Sequence, residues 1–104
     1  MGLLSNLFKP GNSISGQEVK ELRSDRNTVI IDVRSKEEYQ GYHVPGSINI
    51  PVQVINEDKV KKYKDKNVIV YCLSGSRARS ASKKLEKFGF NVKNMGAVSN
   101  YPRS

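Results

Sequence analysis

The stretch Asn67-Val68-Ile69-Val70-Tyr71-Cys72-Leu73-Ser74-Gly75-Ser76-Arg77 changes character twice. Its first part reads as a strand: Val68 to Tyr71 is a continuous apolar run rich in β-branched side chains, as expected where both faces are covered. The small residues Ser74, Gly75 and Ser76 then interrupt the pattern. From Arg77 to about Phe88 the apolar residues Ala81, Leu85 and Phe88 recur at helical spacing, and Gly89 supplies the C-terminal stop. A buried strand that runs through a tight loop into a helix is the repeating unit of a parallel α/β sheet.

Working outward, the same alternation continues. Ser15-Gly16-Gln17-Glu18 is a capping box, predicting a helix to about Arg23 with Val19 and Leu22 turned inward. Thr28 to Val33 is a second buried strand. A second capping box, Ser35-Lys36-Glu37-Glu38, starts a short helix ending near Gly41, and a turn at Pro45-Gly46 leads to a short strand around Ile48 and Ile50, closed by Pro51. Residues 52 to 64 read as helical, with Val52, Ile55, Val60 and Tyr63 facing inward. Asn91 to Met95 reads as a last strand and Ala97 to Tyr101 as a final turn. The expected fold class is α/β, with a central, mostly parallel sheet and helices on both faces. Residues 13–104 form that domain. Residues 1–12 read as an appendage, in which Leu3, Leu4, Leu7 and Phe8 share one helical face before the breaker Lys9-Pro10-Gly11-Asn12. That segment is read as a short helix folded onto the domain or frayed from it, with a weak membrane-surface contact as the alternative. Its apolar core is too short for a secretory signal, and Asn6 stands where myristoylation of Gly2 requires Ser or Thr.

Composition bounds the chemistry. The chain has 104 residues, one cysteine, one histidine and no tryptophan. A lone thiol excludes an internal disulfide, a Cys-x-x-Cys redox pair and a cysteine-rich zinc site. The net charge is +8, and all of it lies in the second half: residues 1–51 carry six basic and six acidic side chains, residues 52–104 twelve and four. Such asymmetry points to an anionic partner. Nucleic acid is disfavoured, because the densest run, Lys59 to Lys66, contains only Tyr63 as a stacking residue and no nucleic-acid motif. The run reads as solvated surface. The longest apolar run, Val68 to Leu73, is far short of the roughly 18 residues of a membrane span. With a thiol that must stay reduced, the expected compartment is the cytoplasm.

In a parallel sheet, ligands bind beyond the carboxyl ends of the strands, which selects the loop after Tyr71. Cys72 there faces a helix N-terminus, whose unpaired N–H groups and dipole favour negative charge on the sulfur. Ser74, Gly75 and Ser76 let successive N–H groups converge on one spot. Arg77 and Arg79 both fall in the first helical turn, where a cation opposes the dipole; an anion in the loop explains them. The candidate catalytic residue is Cys72, and the candidate substrate-binding residues are Leu73, Ser74, Gly75, Ser76 and Arg77.

With these motifs in hand, the chain resembles a single-domain rhodanese, a thiosulfate or persulfide sulfurtransferase, from about Ser13 to Tyr101. One carrier of the resemblance is Ile31-Asp32-Val33-Arg34, followed by Glu38-Tyr39 and His43-Val44-Pro45-Gly46-Ser47-Ile48-Asn49-Ile50-Pro51; the other is the strand that enters the six-residue loop Cys72 to Arg77. Tyr42, Ser47, Gly96-Ala97 and Tyr101 depart from the family pattern outside the loop, and Leu73 stands where thiosulfate-preferring members often carry a basic residue. The resemblance implies sulfur transfer through a persulfide on Cys72, bound by the loop residues Leu73 to Arg77, with no metal or organic cofactor needed. The partners would be a small anionic donor, thiosulfate or a persulfide, with a thiol or cyanide as acceptor, and possible sulfur-relay proteins, in a monomer or weak dimer. It further implies that Asp32 and Arg34 are structural; Arg34 is expected to pair with Glu38, and His43 reads as a turn residue, with a proton-donor role as the alternative if it lies near the loop. Two alternatives stand beside it. One is a sulfur-carrier module charged by a partner protein. The other is a cysteine-dependent phosphatase or arsenate reductase, whose Cys-x5-Arg loop differs from the Cys-x4-Arg spacing here.

Overall fold

The computed structural model describes residues 12–103; the N-terminal amphipathic segment from Leu3 to Phe8 lies outside the described residues. Within them the chain runs α1 (Gly16–Leu22), β1 (Thr28–Asp32), α2 (Lys36–Gly41), β2 (Ile48–Asn49), α3 (Glu57–Val60), β3 (Asn67–Cys72), α4 (Ser76–Lys87) and β4 (Asn91–Ala97). The four strands form one sheet in the order β2-β1-β3-β4, every neighbouring pair parallel. The α/β architecture expected from the alternation is therefore the one observed.

The apolar runs of β1 and β3 are divided by strand geometry between two cores. Successive side chains of a strand point to opposite faces. Thus Val68, Val70 and Cys72 pack with Ile31, Val60, Ala78, Ala81 and Leu85 under α3 and α4. Ile69 and Tyr71 pack with Ile30, Val19, Leu22, Met95 and Tyr101 under α1. Both capping boxes form as read: the Ser15 hydroxyl accepts from the Glu18 N–H and the Glu18 carboxylate accepts from the Ser15 N–H, and Ser35 and Glu38 repeat the pattern. Gly16, the first residue of α1, abuts the chain near Tyr101. A Cβ there would lie 1.7 Å from the Asn100 carbonyl oxygen, so a side chain is excluded by backbone that cannot move aside.

The segment 52–64 departs from the single helix expected. It forms a 3₁₀ turn at Val52–Val54, the one-turn α3, and another 3₁₀ turn at Lys61–Tyr63. Asn56 causes the division, because its side chain caps the Lys59 N–H and starts a new helix inside the predicted one. Ile55 and Val60 are buried as expected. The lysine-rich run is also more than solvated surface. The Lys64 ammonium donates to the Phe88 carbonyl at the C-terminus of α4, and Lys66 donates to the Arg26 carbonyl. A cation at a helix C-terminus is favoured by the dipole.

Near the site, β3 and β4 change register. Val70 pairs with Asn94 and Tyr71 with Gly96, which leaves Met95 as the extra residue of a bulge. The Asn94 carboxamide oxygen accepts from the Gly96 N–H at 2.7 Å, and the Asn100 carboxamide donates to the Met95 carbonyl at 2.8 Å. This bulge bends the end of β4 beside the loop that follows β3.

Candidate active site

Cys72 is the last residue of β3 and its side chain is almost completely buried. Its Sγ accepts the Gly75 N–H at 2.9 Å and the Ala78 N–H at 3.3 Å. The geometry follows from the helix end. Gly75 is the N-cap of α4 and has no side chain to cap it, while Ala78 occupies the third helical position, whose N–H a capping oxygen usually satisfies. Here the sulfur of Cys72 takes that place. A neutral thiol accepts weakly; a negatively charged sulfur accepts strongly. The arrangement therefore aims two N–H donors at the atom that would carry negative charge in a thiolate or a persulfide. Gly75 adopts φ +113°, which allows the chain to fold back toward the sulfur and which residues with a Cβ rarely adopt.

Of the residues singled out from the sequence, Cys72 to Arg77 are contiguous around this turn. Leu73 projects from it, 54% exposed, and Ser74 and Ser76 are exposed as well. The N–H donors that reach the sulfur belong to Gly75 and Ala78; Ala78 is legible only once the loop is known to enter the helix at Ser76.

Arg77 is anchored, contrary to the pairing expected for its partner. Its guanidinium forms a bidentate pair with Glu38, Nη1 to Oε1 at 2.8 Å and Nη2 to Oε2 at 3.0 Å. Glu38 thus ties α2 to the first turn of α4. The Arg77 hydrogen bonds and the one from the Ser35 N–H hold the Glu38 carboxyl down at about 2. The hydrogen bond to Glu38 raises the Arg77 pKa, with further attraction from Cys72 and Asp32, against partial desolvation.

Arg34 does not pair with Glu38. Its Nη2 lies 2.7 Å from Asp32 Oδ2 and its Nε 3.0 Å from Oδ1, and Nη2 also donates to the Tyr42 carbonyl. Asp32 is wholly buried at the end of β1, and the guanidinium sits 5.6 Å over the Tyr71 ring. The structural role implied for this pair holds, with a different partner. The next turn is pinned from β3: the Tyr71 hydroxyl accepts from the Val44 N–H at 3.0 Å and meets the Ser47 hydroxyl at 3.2 Å. Burial raises the Tyr71 pKa, so it stays protonated. His43 stacks on Tyr39 at 3.8 Å and its Nδ1 faces the Tyr39 carbonyl, contacts of a structural residue of the turn.

Residues 15–100 match the sequence profile of the Rhodanese-like domain, and the chain belongs to that family. It is 32% identical over 109 aligned residues to a tRNA uridine(34) hydroxylase of Buchnera aphidicola subsp. Baizongia pistaciae, covering 94% of this chain and 35% of that protein. The chain thus spans about a third of the length of that relative. Among solved structures, a rhodanese with anions from E. coli is 35% identical, with a TM-score of 0.66 over 72% of this chain and 94% of that one. A human single-domain sulfurtransferase shares the fold, with a TM-score of 0.68 at 22% identity, over 88% of this chain and 93% of that one. Family and fold are those of a Rhodanese-like domain. No helix of the described residues is long and apolar enough to cross a membrane.

Proposed function

We propose that the chain is a sulfurtransferase in which Cys72 is the sole nucleophile. The Cys72 thiolate attacks the outer sulfur of a donor such as thiosulfate; the donor's S–S bond breaks, sulfite leaves with the electron pair, and a persulfide remains on Cys72. An acceptor thiolate or cyanide then takes the outer sulfur and returns the thiolate. The observation that carries this reading is the sulfur held at the N-terminus of a 12-residue helix by the Gly75 and Ala78 N–H groups. Those donors, fixed before the reaction, stabilise negative charge on the sulfur chain without reorganisation. Leu73, Ser74 and Ser76 form the rim through which donor and acceptor approach, and Arg77, anchored on Glu38, steadies the turn. That a rhodanese of 35% identity was solved with anions supports an anion-binding loop.

The phosphatase reading loses its support. The position five residues beyond the loop's cysteine neighbour, where such enzymes carry arginine, is the buried Ala78, and Arg77 is engaged by Glu38. The carrier reading keeps one observation in its favour: an exposed, apolar Leu73 at the rim suits a protein surface or a neutral persulfide better than thiosulfate.

The test is incubation with thiosulfate followed by intact-mass measurement. One sulfur atom added to the wild type, absent in Cys72→Ser and released by cyanide, is the expected result. An alkylatable Cys72 that gains no sulfur from thiosulfate overturns the thiosulfate reaction; charging only by a cysteine desulfurase would establish the carrier in its place.

A further inference from the structure

Beside the loop, between α4 and the bulged end of β4, lies a cavity of about 570 Å³. Ser74 and Gly75 form one wall, so the cavity shares the turn whose N–H group holds the Cys72 sulfur. A second wall is one stripe of α4: Arg79, Ser82, Lys83 and Glu86 follow at helical spacing. Thiosulfate and cyanide are a few atoms each, whereas cavities of this size hold organic molecules.

The polar groups of the stripe are uncommitted. Ser82 is 7% exposed, yet its hydroxyl has no hydrogen-bond partner among the described residues. A buried hydroxyl without a partner is disfavoured, and a ligand oxygen would satisfy it. Neither Arg79 nor Lys83 takes part in an ion pair among the described residues. Arg79 also stands in the first turn of α4, where a cation is unfavourable unless an anion lies near. Glu86, seven residues on, is about 10 Å farther along the helix axis. The positive end of the stripe is thus the end next to the loop.

We propose that this cavity binds the body of the sulfur acceptor, and that the acceptor is a small organic thiol bearing a carboxylate. The carboxylate lies against Lys83 and Arg79 and accepts from the Ser82 hydroxyl, with the thiol directed toward the loop. The inference rests on the sulfur-transfer reading above. In the reaction the acceptor thiolate attacks the outer sulfur of the Cys72 persulfide. A new S–S bond forms in the product persulfide, the old one breaks, and its electron pair returns to Cys72 as thiolate.

The full chain is first loaded with thiosulfate, and discharge is then followed with three acceptors: cyanide, 2-mercaptoethanol and 3-mercaptopropionate. Lys83→Gln and Ser82→Ala are compared with the wild type, each acceptor serving as its own reference. For 3-mercaptopropionate, the half-saturating concentration is expected to rise about fivefold in Lys83→Gln and about threefold in Ser82→Ala, as loss of one partly exposed charge or one hydrogen bond predicts. Loading, and discharge by cyanide and 2-mercaptoethanol, should stay within about twofold, because neither substitution removes a contact to Cys72 or to its N–H donors. Variants that load normally and treat all three acceptors as the wild type does overturn the proposal alone. A wild type that takes sulfur from neither thiosulfate nor a small persulfide nor a cysteine desulfurase overturns it together with the sulfur-transfer reading.

Discussion

Two arginine–carboxylate pairs of similar geometry serve this domain differently. Asp32–Arg34 joins residues two apart in sequence, with side chains 0% and 5% exposed. Glu38–Arg77 joins residues 39 apart, with side chains 28% and 36% exposed. The first is built into the end of β1, where Asp32 also accepts the Arg34 backbone N–H and Asn49 donates to the Asp32 and Arg34 carbonyls. The second crosses from α2 to the turn that carries Cys72. Burial makes the first pair costly to break; position makes the second matter to the site. A local pair shapes a strand end, whereas a distant one fixes two separately folded segments relative to each other.

The largest expected effect comes from breaking the buried pair. Asp32→Asn keeps the shape but leaves the Arg34 charge without a counterion, a change that costs about 3 to 5 kcal/mol at buried sites. Urea unfolding of the variant should show that loss; a cost below about 1 kcal/mol would mean that Arg34 finds another anion.

The second pair sharpens the contrast. Glu38→Gln should cost only about 1 kcal/mol, because solvent screens a pair that is a third exposed. It should also slow sulfur loading of Cys72 by about threefold, as Arg77 and the first turn of α4 become less fixed. Asp32→Asn measured under conditions where it remains folded should leave loading closer to normal. If both variants slow loading equally, the division between a stability pair and a positioning pair fails.

The pH dependence follows from the carboxyl of Glu38, held at about 2 against an ordinary value of 4.5. A group whose pKa is lowered on folding adds stability above its unfolded value and loses it as pH falls through the folded one. The stability difference between the wild type and Glu38→Gln should be constant above about pH 5, shrink as pH falls, and vanish only below about pH 2, read from unfolding curves across that range. The smallest effect belongs to Lys61–Asp58, an exposed pair three residues apart. Lys61→Gln should change stability by less than about 0.5 kcal/mol.

Much of this was written locally. The capping boxes at Ser15 and Ser35, the apolar runs of β1 and β3, and Gly89 each act within a few residues, so their elements are legible without the fold. The loop from Cys72 to Arg77 was legible for the same reason: strand, small residues and helix follow in order. Where Asn56 restarts a helix, a local signal was present and outweighed by apparent periodicity. The partner of Arg77 was not legible, because Glu38 belongs to a helix on another part of the chain, and the nearer Arg34 was an equally plausible mate for it. The bulge at Met95 was hidden too, since a register change belongs to two strands at once.

The sequence by itself determined the order of elements, the parallel α/β class and the position of the lone thiol between a strand and a helix. Those depend on short-range backbone preferences and on burial patterns that each segment carries alone. The tertiary structure alone decided which N–H groups meet the Cys72 sulfur, which carboxylate holds Arg77, and that Ser82 and Lys83 line a cavity beside the loop. Such contacts depend on ångström-scale distances between segments, and those are set only when both cores close on the sheet.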